Sequence, residues 1–157
     1  MNKIKSVLLV CTGNSCRSIM AEGVLKKYLK GLGKSDIEVT SAGVYAIDGM
    51  VPTIETIDVM NKEGIDVSGF RSRALTEDII KKSDLILVMA SHHMDDIITK
   101  VPDAVSKVHL LKQFGIKCET QLCEGMDIAD PIGRDKDFYE EVFLAIKKEM
   151  KRIAQIL

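Results

Sequence analysis

The sequence predicts an α/β fold in which helices cover both faces of a parallel β-sheet, so that the molecule is a three-layer sandwich. Residues 7–10 and residues 85–89 are uninterrupted apolar runs, which is typical of strands that are buried on both faces. Segments with helical periodicity separate these runs, so strands and helices alternate along the chain. Parallel strands joined by helices require right-handed crossovers, and a set of such crossovers covers the sheet on both sides.

Two further strands are predicted between the helices. Residues 37–40 alternate between polar and β-branched side chains, and the small residues 41–43 close this strand. Residues 108–111 form a shorter apolar run late in the chain. Because ligands bind at the carboxyl ends of the strands in folds of this kind, the loop after the first strand is a candidate site.

The predicted helices follow from apolar spacing and from end signals. Residues 18–32 place apolar side chains three or four positions apart, and the pattern ends near Gly31 and Gly33. Thr76 is a suitable N-cap because two acidic residues follow it in the first turn, where the helix dipole favours negative charge. The predicted helices are residues 18–32, residues 53–63, a segment that begins after Thr76, a segment that begins at Ser91, and residues 137–157.

Length and charge limit the classes of partner. At 157 residues the chain is expected to form a single domain over residues 1–157, since it has no internal repeat or linker. Its 22 basic and 23 acidic residues give a net charge of -1, so we expect no nucleic acid or membrane partner. The apolar run near the N-terminus is too short for a signal sequence or a membrane span, which indicates a cytoplasmic protein.

The four cysteines are expected to be thiols, ligands or catalysts rather than a disulfide framework, because structural disulfides are rare in the cytoplasm. Cys11 and Cys16 are five positions apart, as are Cys118 and Cys123, and neither pair has the spacing of a zinc site. We therefore expect no metal.

The loop after the first strand has the features of a phosphate site. Cys11 ends the apolar strand, and a helix begins a few residues later. Gly13 and Asn14 tolerate a positive φ, which allows consecutive backbone N–H groups to face one anion at the helix N-terminus. Arg17 adds a planar, permanently charged guanidinium for two further oxygens. The residues expected to bind phosphate are Thr12, Gly13, Asn14, Ser15, Cys16, Arg17 and Ser18.

The same groups favour an ionised sulfur at Cys11, since inward N–H groups, a helix N-terminus and Arg17 all stabilise negative charge. Ser18 is placed to donate a hydrogen bond to that sulfur while it attacks and later leaves. Cys11 is therefore the candidate nucleophile. The competing interpretations are a buried core cysteine beside a solvated arginine, and a loop that binds phosphate without hydrolysing it.

A leaving group on phosphorus needs a proton, so a carboxyl group is expected near the site. Asp130 is the candidate general acid, because Pro131 restricts the backbone beside it and Gly133 follows in a loop before the last helix. Asp127 is the nearest alternative. An Asp-Pro pair taken alone is also typical of an ordinary turn.

Residues 10–22 resemble the signature of the low-molecular-weight protein tyrosine phosphatase family. The resemblance continues through residues 41–43, through residues 75–89, and through Asp130 into the terminal helix, so it covers nearly the whole chain. It implies a four-stranded parallel sheet and hydrolysis through a cysteinyl phosphate, without a metal or a cofactor. It also implies that the catalytic residues are Cys11, Arg17 and Asp130, and that phosphorylated proteins or peptides are the partners.

The resemblance leaves the substrate residue open, because bacterial members act on phosphotyrosine or on phosphoarginine. Ser15 is expected on the pocket wall and resembles the small hydroxyl residue of the arginine phosphatases, whereas tyrosine phosphatases often carry a bulky aliphatic residue there. Ile132 stands where the family usually has an aromatic residue after the Asp-Pro pair, and Tyr45 is expected to form the opposite wall. Ser15 leans toward phosphoarginine, although arsenate reductases share a serine at that position, and Ile132 reduces stacking on a tyrosyl ring. Phosphotyrosine and phosphoarginine both stay open as substrates.

Arsenate reduction is a further alternative function. The reductases that the chain resembles carry a resolving cysteine at the end of the third strand, where this chain has Ala90, although Cys118 and Cys123 form a pair elsewhere. Cys16 is the candidate redox partner of Cys11, since a disulfide between them would protect the nucleophile reversibly. The alternative for Cys16 is a packed thiol.

Two expectations concern side chains around the loop. Many family members place a histidine near Phe70 that holds the loop asparagine, so Asn14 is expected to use Ser41 or Ser72 instead. The two histidines at residues 92–93 lie at the start of a predicted helix, and both are expected on the surface.

Overall fold

The computed structural model describes residues 3–117 and 125–157, which contain a four-stranded, wholly parallel sheet in the order β2-β1-β3-β4. The strands are β1 (Ser6–Cys11), β2 (Glu38–Gly43), β3 (Leu85–Val88) and β4 (Val108–Leu110). Every predicted strand is present. Residues 41–43 were expected to close the second strand, but they continue it, because they pair with the last three residues of β1.

The predicted helices are also present, with their ends within one residue of the expected positions. They are α1 (Arg17–Gly31), α2 (Ile54–Lys62), α3 (Glu77–Lys82), α4 (Ser91–Lys100) and α5 (Lys136–Ile156), with a 3-10 helix at Pro102–Lys107. Thr76 is the N-cap of α3, as predicted, and its hydroxyl accepts a hydrogen bond of 3.2 Å from the Ile79 N–H. No helix in residues 3–117 and 125–157 has both the length and the apolarity that crossing a membrane requires.

Helices cover both faces of the sheet, which confirms the three-layer sandwich. Val7 and Leu9 of β1 pack into a core with residues of α1, α2 and α5, whereas Leu8 and Val10 pack into a second core with residues of α3 and α4. These four side chains are at most 1% exposed, and burying each one contributes roughly 1.5–3 kcal/mol. The alternation along β1 therefore anchors the central strand on both sides, and Cys11 ends that strand at the carboxyl edge of the sheet.

Candidate active site

The loop between β1 and α1 is tied to neighbouring segments by its carbonyl groups. The Tyr45 N–H donates to the Thr12 carbonyl at 2.9 Å, and the Thr53 N–H donates to the Ser15 carbonyl at 3.3 Å. The loop's own amides are left available, because several of them donate to no protein acceptor in the described part of the chain. These are the N–H groups of Gly13, Ser15, Cys16, Arg17 and Ser18. Free amides at a helix N-terminus are suited to an anion.

The positive φ in this loop belongs to Asn14, at 52°, whereas Gly13 was expected to share that conformation and does not. The tight spatial constraint falls instead on Gly43, at the end of β2. A Cβ atom there would lie 2.5 Å from the Thr12 carbonyl oxygen and 2.8 Å from the Asn14 nitrogen. The sequence places Gly43 only at a strand end, so its contact with the loop is seen in the structure alone.

Asn14 is fully buried, and its side-chain amide joins three segments. Its Nδ2 atom donates to Ser18 Oγ at 2.7 Å and to Ser41 Oγ at 3.0 Å, and its Oδ1 atom accepts from the Arg73 N–H at 2.9 Å. The expected contact with Ser41 is therefore confirmed. The expected alternative, Ser72, is not a partner, because its hydroxyl binds the Met50 N–H and the Ile47 carbonyl.

The sulfur of Cys11 lies among donors. Ser18 Oγ is 2.9 Å from Cys11 Sγ, and the Asn14 N–H donates to the same sulfur at 3.3 Å. Because Ser18 Oγ already accepts from Asn14 Nδ2, its hydroxyl proton is free to point at the sulfur. Cys11 is 2% exposed. Two donors therefore point at the sulfur that the sequence identifies as the candidate nucleophile.

Arg17 is buried, and its guanidinium has three neighbours. Nη1 donates to the Ile128 carbonyl at 2.9 Å, and Nη2 donates to Thr12 Oγ1 at 3.4 Å. Nη2 also lies 3.4 Å from Asp130 Oδ2. The guanidinium is thereby held between the loop after β1 and the segment that precedes α5. Arg17 and Asp130 are brought together, as the sequence predicts.

The two candidate carboxylates have different surroundings. The Asp130 side chain is 45% exposed, and its Oδ1 atom accepts from the Ile132 N–H at 3.1 Å. Its other oxygen faces Arg17. Asp127 instead accepts a 2.9 Å hydrogen bond from the Ser91 N–H at the start of α4, where negative charge stabilises a helix. Asp127 therefore stabilises the start of α4, whereas Asp130 lies next to Arg17, at the end of the loop after β1.

The expected pocket residues are all at least partly accessible. Ser15 is half-buried within the loop, while Tyr45 is 73% exposed and Ile132 is 54% exposed. The backbone of Tyr45 contacts the loop through Thr12. Their role as walls of a substrate pocket stays a prediction.

Cys16, expected as a redox partner, is a free, buried thiol. Its sulfur lies 3.5 Å from Thr53 Oγ1 and 3.5 Å from the Tyr139 hydroxyl, whereas Cys11 contacts a different set of groups. Burial raises the pKa of Tyr139 to about 12, so that hydroxyl stays protonated beside the thiol. The redox pairing stays a prediction. Cys118 and Cys123 lie outside the described residues.

The expectation of a surface position is wrong for His93, which is fully buried, and confirmed for the exposed His92. The His93 ring turns back from α4 toward the loop, and its Nε2 atom lies 2.9 Å from Thr12 Oγ1. Its Nδ1 atom accepts a 3.1 Å hydrogen bond from the Ala90 N–H. Burial, followed by the nearby His92 and Arg17, lowers the pKa of His93 to about 3. The sequence signal is its place three residues after Ala90, from which a side chain reaches back to the helix start.

The donors that converge here are backbone amides, hydroxyls and one guanidinium, a set suited to an anion, and the Asp130 carboxylate adjoins them at Arg17 Nη2. Among residues 3–117 and 125–157, no group of three or more His, Cys, Asp or Glu side chains is arranged to hold a metal ion.

Comparison with known proteins gives the chain a family. Residues 6–157 match the family model for low molecular weight phosphotyrosine protein phosphatase. A probable low molecular weight protein-tyrosine-phosphatase, EpsP of Ralstonia nicotianae, is 34% identical, over 92% of this chain and 90% of that protein. A protein-arginine-phosphatase of Geobacillus stearothermophilus is 36% identical, over 96% and 95% of the two chains.

Two further matches bear on the chemistry. An arsenate reductase of Brevibacillus brevis is 34% identical, over 99% of this chain and 98% of that protein. The solved structure of YwlE arginine phosphatase, as a cysteine-to-serine mutant with a phosphorylated active-site serine, superposes with a TM-score of 0.87 at 28% identity, over 97% and 95% of the chains. The chain therefore belongs to the low molecular weight phosphotyrosine protein phosphatase family, a family of protein phosphatases, as the signature in its sequence predicts.

Proposed function

We propose that this phosphatase works by double displacement through a phosphocysteine on Cys11. The observation that carries the proposal is the set of donors around that sulfur, with Ser18 Oγ at 2.9 Å, the Asn14 N–H at 3.3 Å and free amides beside it. In the first step the sulfur attacks phosphorus and forms an S–P bond, while the bond to the leaving group breaks. In the second step water attacks phosphorus, and inorganic phosphate and the thiolate are released.

Arg17 and the free loop amides are proposed to hold the nonbridging oxygens of the phosphoryl group. Negative charge on those oxygens is stabilised most strongly by donors that are already in place and shielded from water. Arg17 meets this condition, because it is 4% exposed and the Ile128 carbonyl holds its Nη1 atom at 2.9 Å. The guanidinium therefore needs no reorganisation when the anion binds.

Asp130 is proposed as the general acid in the first step and the general base in the second. Its carboxyl proton passes to the oxygen or nitrogen of the leaving group, and the resulting carboxylate then takes a proton from the attacking water. Its half-exposed position next to Arg17 Nη2 supports this role, because the group adjoins both the anion site and solvent.

Phosphoarginine is the substrate residue that we propose first. Ser15 offers a hydroxyl rather than a bulky apolar wall, and Ile132 removes the ring that would stack on a phosphotyrosine. The match to a protein-arginine-phosphatase at 36% identity supports the same choice. Phosphotyrosine is the second candidate, favoured by the exposed ring of Tyr45, which is available for aromatic contact.

Arsenate reduction is proposed only as a side activity. It requires a second thiol to attack an adduct on Cys11, and the Cys16 sulfur is engaged with Thr53 and Tyr139. If Cys118 or Cys123 supplied that thiol, arsenate turnover coupled to thioredoxin would disappear in the Cys118→Ser or Cys123→Ser variant. Turnover that survives both replacements would exclude the pair.

We also propose that residues 1–157 act as one domain in the cytoplasm, without a nucleic acid or membrane partner. A net charge of -1 supports the absence of polyanionic partners. A reducing compartment suits a mechanism that needs the Cys11 thiol unoxidised.

The proposal is tested by measuring hydrolysis of p-nitrophenyl phosphate, phosphoarginyl peptides and phosphotyrosyl peptides by wild type and Cys11→Ser. We expect turnover by wild type, a higher kcat/KM on phosphoarginyl peptides, and no turnover by the variant, which is either unreactive or trapped as a phosphoserine. Full turnover by Cys11→Ser would exclude the mechanism. Phosphate binding without any hydrolysis by wild type would indicate a non-catalytic binding module.

A further inference from the structure

His93 is a buried polar side chain that the double-displacement mechanism does not use. It is the third residue of α4, it is 0% exposed, and it lies 81 positions from Thr12 in the sequence. Both ring nitrogens have a partner. The Ala90 N–H points at Nδ1, and Thr12 Oγ1 lies 2.9 Å from Nε2.

These two contacts determine the tautomer of the ring. A backbone N–H is always a donor, so Nδ1 of His93 must be the unprotonated acceptor. The neutral ring then carries its proton on Nε2, and that proton is donated to Thr12 Oγ1. The low pKa of His93, about 3, keeps the ring in this neutral state at the pH of the cytoplasm.

The Thr12 hydroxyl oxygen thus receives two donors, His93 Nε2 at 2.9 Å and Arg17 Nη2 at 3.4 Å. Two donors occupy both lone pairs of a hydroxyl oxygen, which leaves its proton to be given away. Among residues 3–117 and 125–157 that proton has no acceptor, and Thr12 is only half-buried. The same Nη2 atom lies 3.4 Å from Asp130, so the hydroxyl is on the edge of the guanidinium where the general acid is found.

We propose that His93 is a positioning residue for the phosphatase reaction: it holds the Thr12 hydroxyl so that the oxygen supports Arg17 and the hydroxyl proton faces the bound phosphoryl group. This inference rests on the proposed function, because it assigns the anion to Arg17 and the loop. It differs from a capping role in one respect. Capping of α4 uses only Nδ1, whereas the action on the site uses only Nε2.

Two substitutions test the roles of the two ring nitrogens one at a time. In His93→Asn, the side-chain oxygen takes the place of Nδ1 and accepts from Ala90, but residue 93 no longer offers a donor to Thr12. In His93→Gln, the amide nitrogen takes the place of Nε2 and donates to Thr12. The rate of each variant is divided by the number of active sites, which is counted from the burst of p-nitrophenolate. A difference between the variants in the folded fraction then does not affect the comparison.

We expect His93→Asn to lose on the order of tenfold in kcat/KM on p-nitrophenyl phosphate and to bind inorganic phosphate more weakly as a competitive inhibitor. His93→Gln is expected to stay within about threefold of wild type. His92→Asn, at the exposed neighbouring position, is the matched control and is expected to be unchanged. Equal kcat/KM for His93→Asn and His93→Gln would overturn the inference.

A double-mutant cycle with Thr12→Val tests the path through the hydroxyl. If His93 acts through Thr12, then His93→Asn costs nothing further once Thr12 is valine. Full additivity of the two losses would overturn the inference. A wild type without turnover would overturn the proposed function and this inference together, whereas an active wild type with additive losses overturns the inference alone.

The tautomer is measured on the wild type, without any variant. NMR of protein labelled with 15N-histidine is expected to show His93 with a proton on Nε2 and none on Nδ1. A proton on Nδ1 would contradict the inference whatever the variants do.

Discussion

The hydroxyl oxygen of Ser18 lies 2.9 Å from the sulfur of Cys11. The position of that hydroxyl is set by Asn14, whose amide donates to it at 2.7 Å, and Asn14 is held in turn by Ser41 and by the Arg73 backbone. The sulfur is therefore supported by a chain of hydrogen bonds that is buried as far as β2 and ends, half-buried, at the segment before α3. A buried network of this kind is stiff because each member is satisfied by the next.

Replacing Ser18 by alanine is expected to slow breakdown of the phosphoenzyme more than its formation, because the hydroxyl stabilises Cys11 as a departing thiolate. A hydrogen bond to a charged group contributes roughly 1.5–3 kcal/mol, so kcat should fall on the order of 10-fold to 100-fold. Stopped-flow assays should show a full burst of p-nitrophenolate followed by a slow steady state. The exposed Ser91→Ala is the control, and a loss of the burst itself would contradict this role.

Asp130→Asn is expected to make the rate depend steeply on the leaving group, because poor leaving groups need the proton that the carboxyl supplies. Rates on a series of aryl phosphates of increasing phenol pKa measure this dependence. Asp127→Asn is the matched control, since Asp127 binds the Ser91 N–H and should affect stability alone. A leaving-group dependence that is the same in Asp130→Asn and wild type would exclude the role.

Gly43→Ala is expected to lower kcat/KM and to destabilise the fold by about 1–3 kcal/mol. The added methyl group would meet backbone atoms of Thr12 and Asn14 at 2.5 and 2.8 Å, and backbone does not yield as a flexible side chain does. Gly31→Ala, where nothing lies within 4 Å, is the control and should be neutral or stabilising by up to about 1 kcal/mol. Denaturant unfolding and steady-state kinetics measure both effects, and a fully active Gly43→Ala would show that the loop has room to move.

The buried ring of His93 is expected to make stability fall as the pH falls. Between pH 6.5 and about 3, the unfolded chain binds a proton at this ring that the folded chain does not, so acid favours unfolding. One proton corresponds to about 1.4 kcal/mol per pH unit. Burial also lowers the pKa of His109, which acts in the same direction, so the comparison must be made against a variant.

The free energy of unfolding of wild type, His93→Asn and His92→Asn should be measured in urea from about pH 7 to about pH 5, within the range in which histidine titrates. We expect a shallower slope in His93→Asn than in wild type or in His92→Asn. The same slope in His93→Asn and in wild type would mean that the pKa of the His93 ring does not differ between the folded and the unfolded chain.

Local patterns were sufficient to predict much of this molecule. The apolar run that becomes β1 and the Thr76 cap of α3 depend on neighbours in the sequence, and both were predicted correctly. The positions of Cys11 and Arg17 at the two ends of one loop were also predicted this way, because the strand, the loop and the helix start are contiguous. Their catalytic roles stay predictions. The family resemblance was needed to predict that Asp130 lies close to this loop, since an Asp-Pro pair alone is also typical of an ordinary turn.

The residues that were missed depend on contacts between distant segments. His93 was expected on the surface, because polar side chains at a helix start usually face solvent. Its ring is buried by the approach of α4 to a loop 81 positions earlier, which no local pattern encodes. Gly43 was assigned only to a strand end, and its closeness to Thr12 and Asn14 follows from the parallel pairing of β2 with β1.

The phosphocysteine proposed on Cys11 is detected by acid-quench mass spectrometry of the enzyme during turnover of a phosphorylated substrate. We expect the mass of one phosphoryl group on the peptide that contains Cys11, at a level that rises in Ser18→Ala because breakdown is slowed. Continued turnover with no phosphorylated Cys11 at any quench time, in wild type or in Ser18→Ala, would contradict the claim.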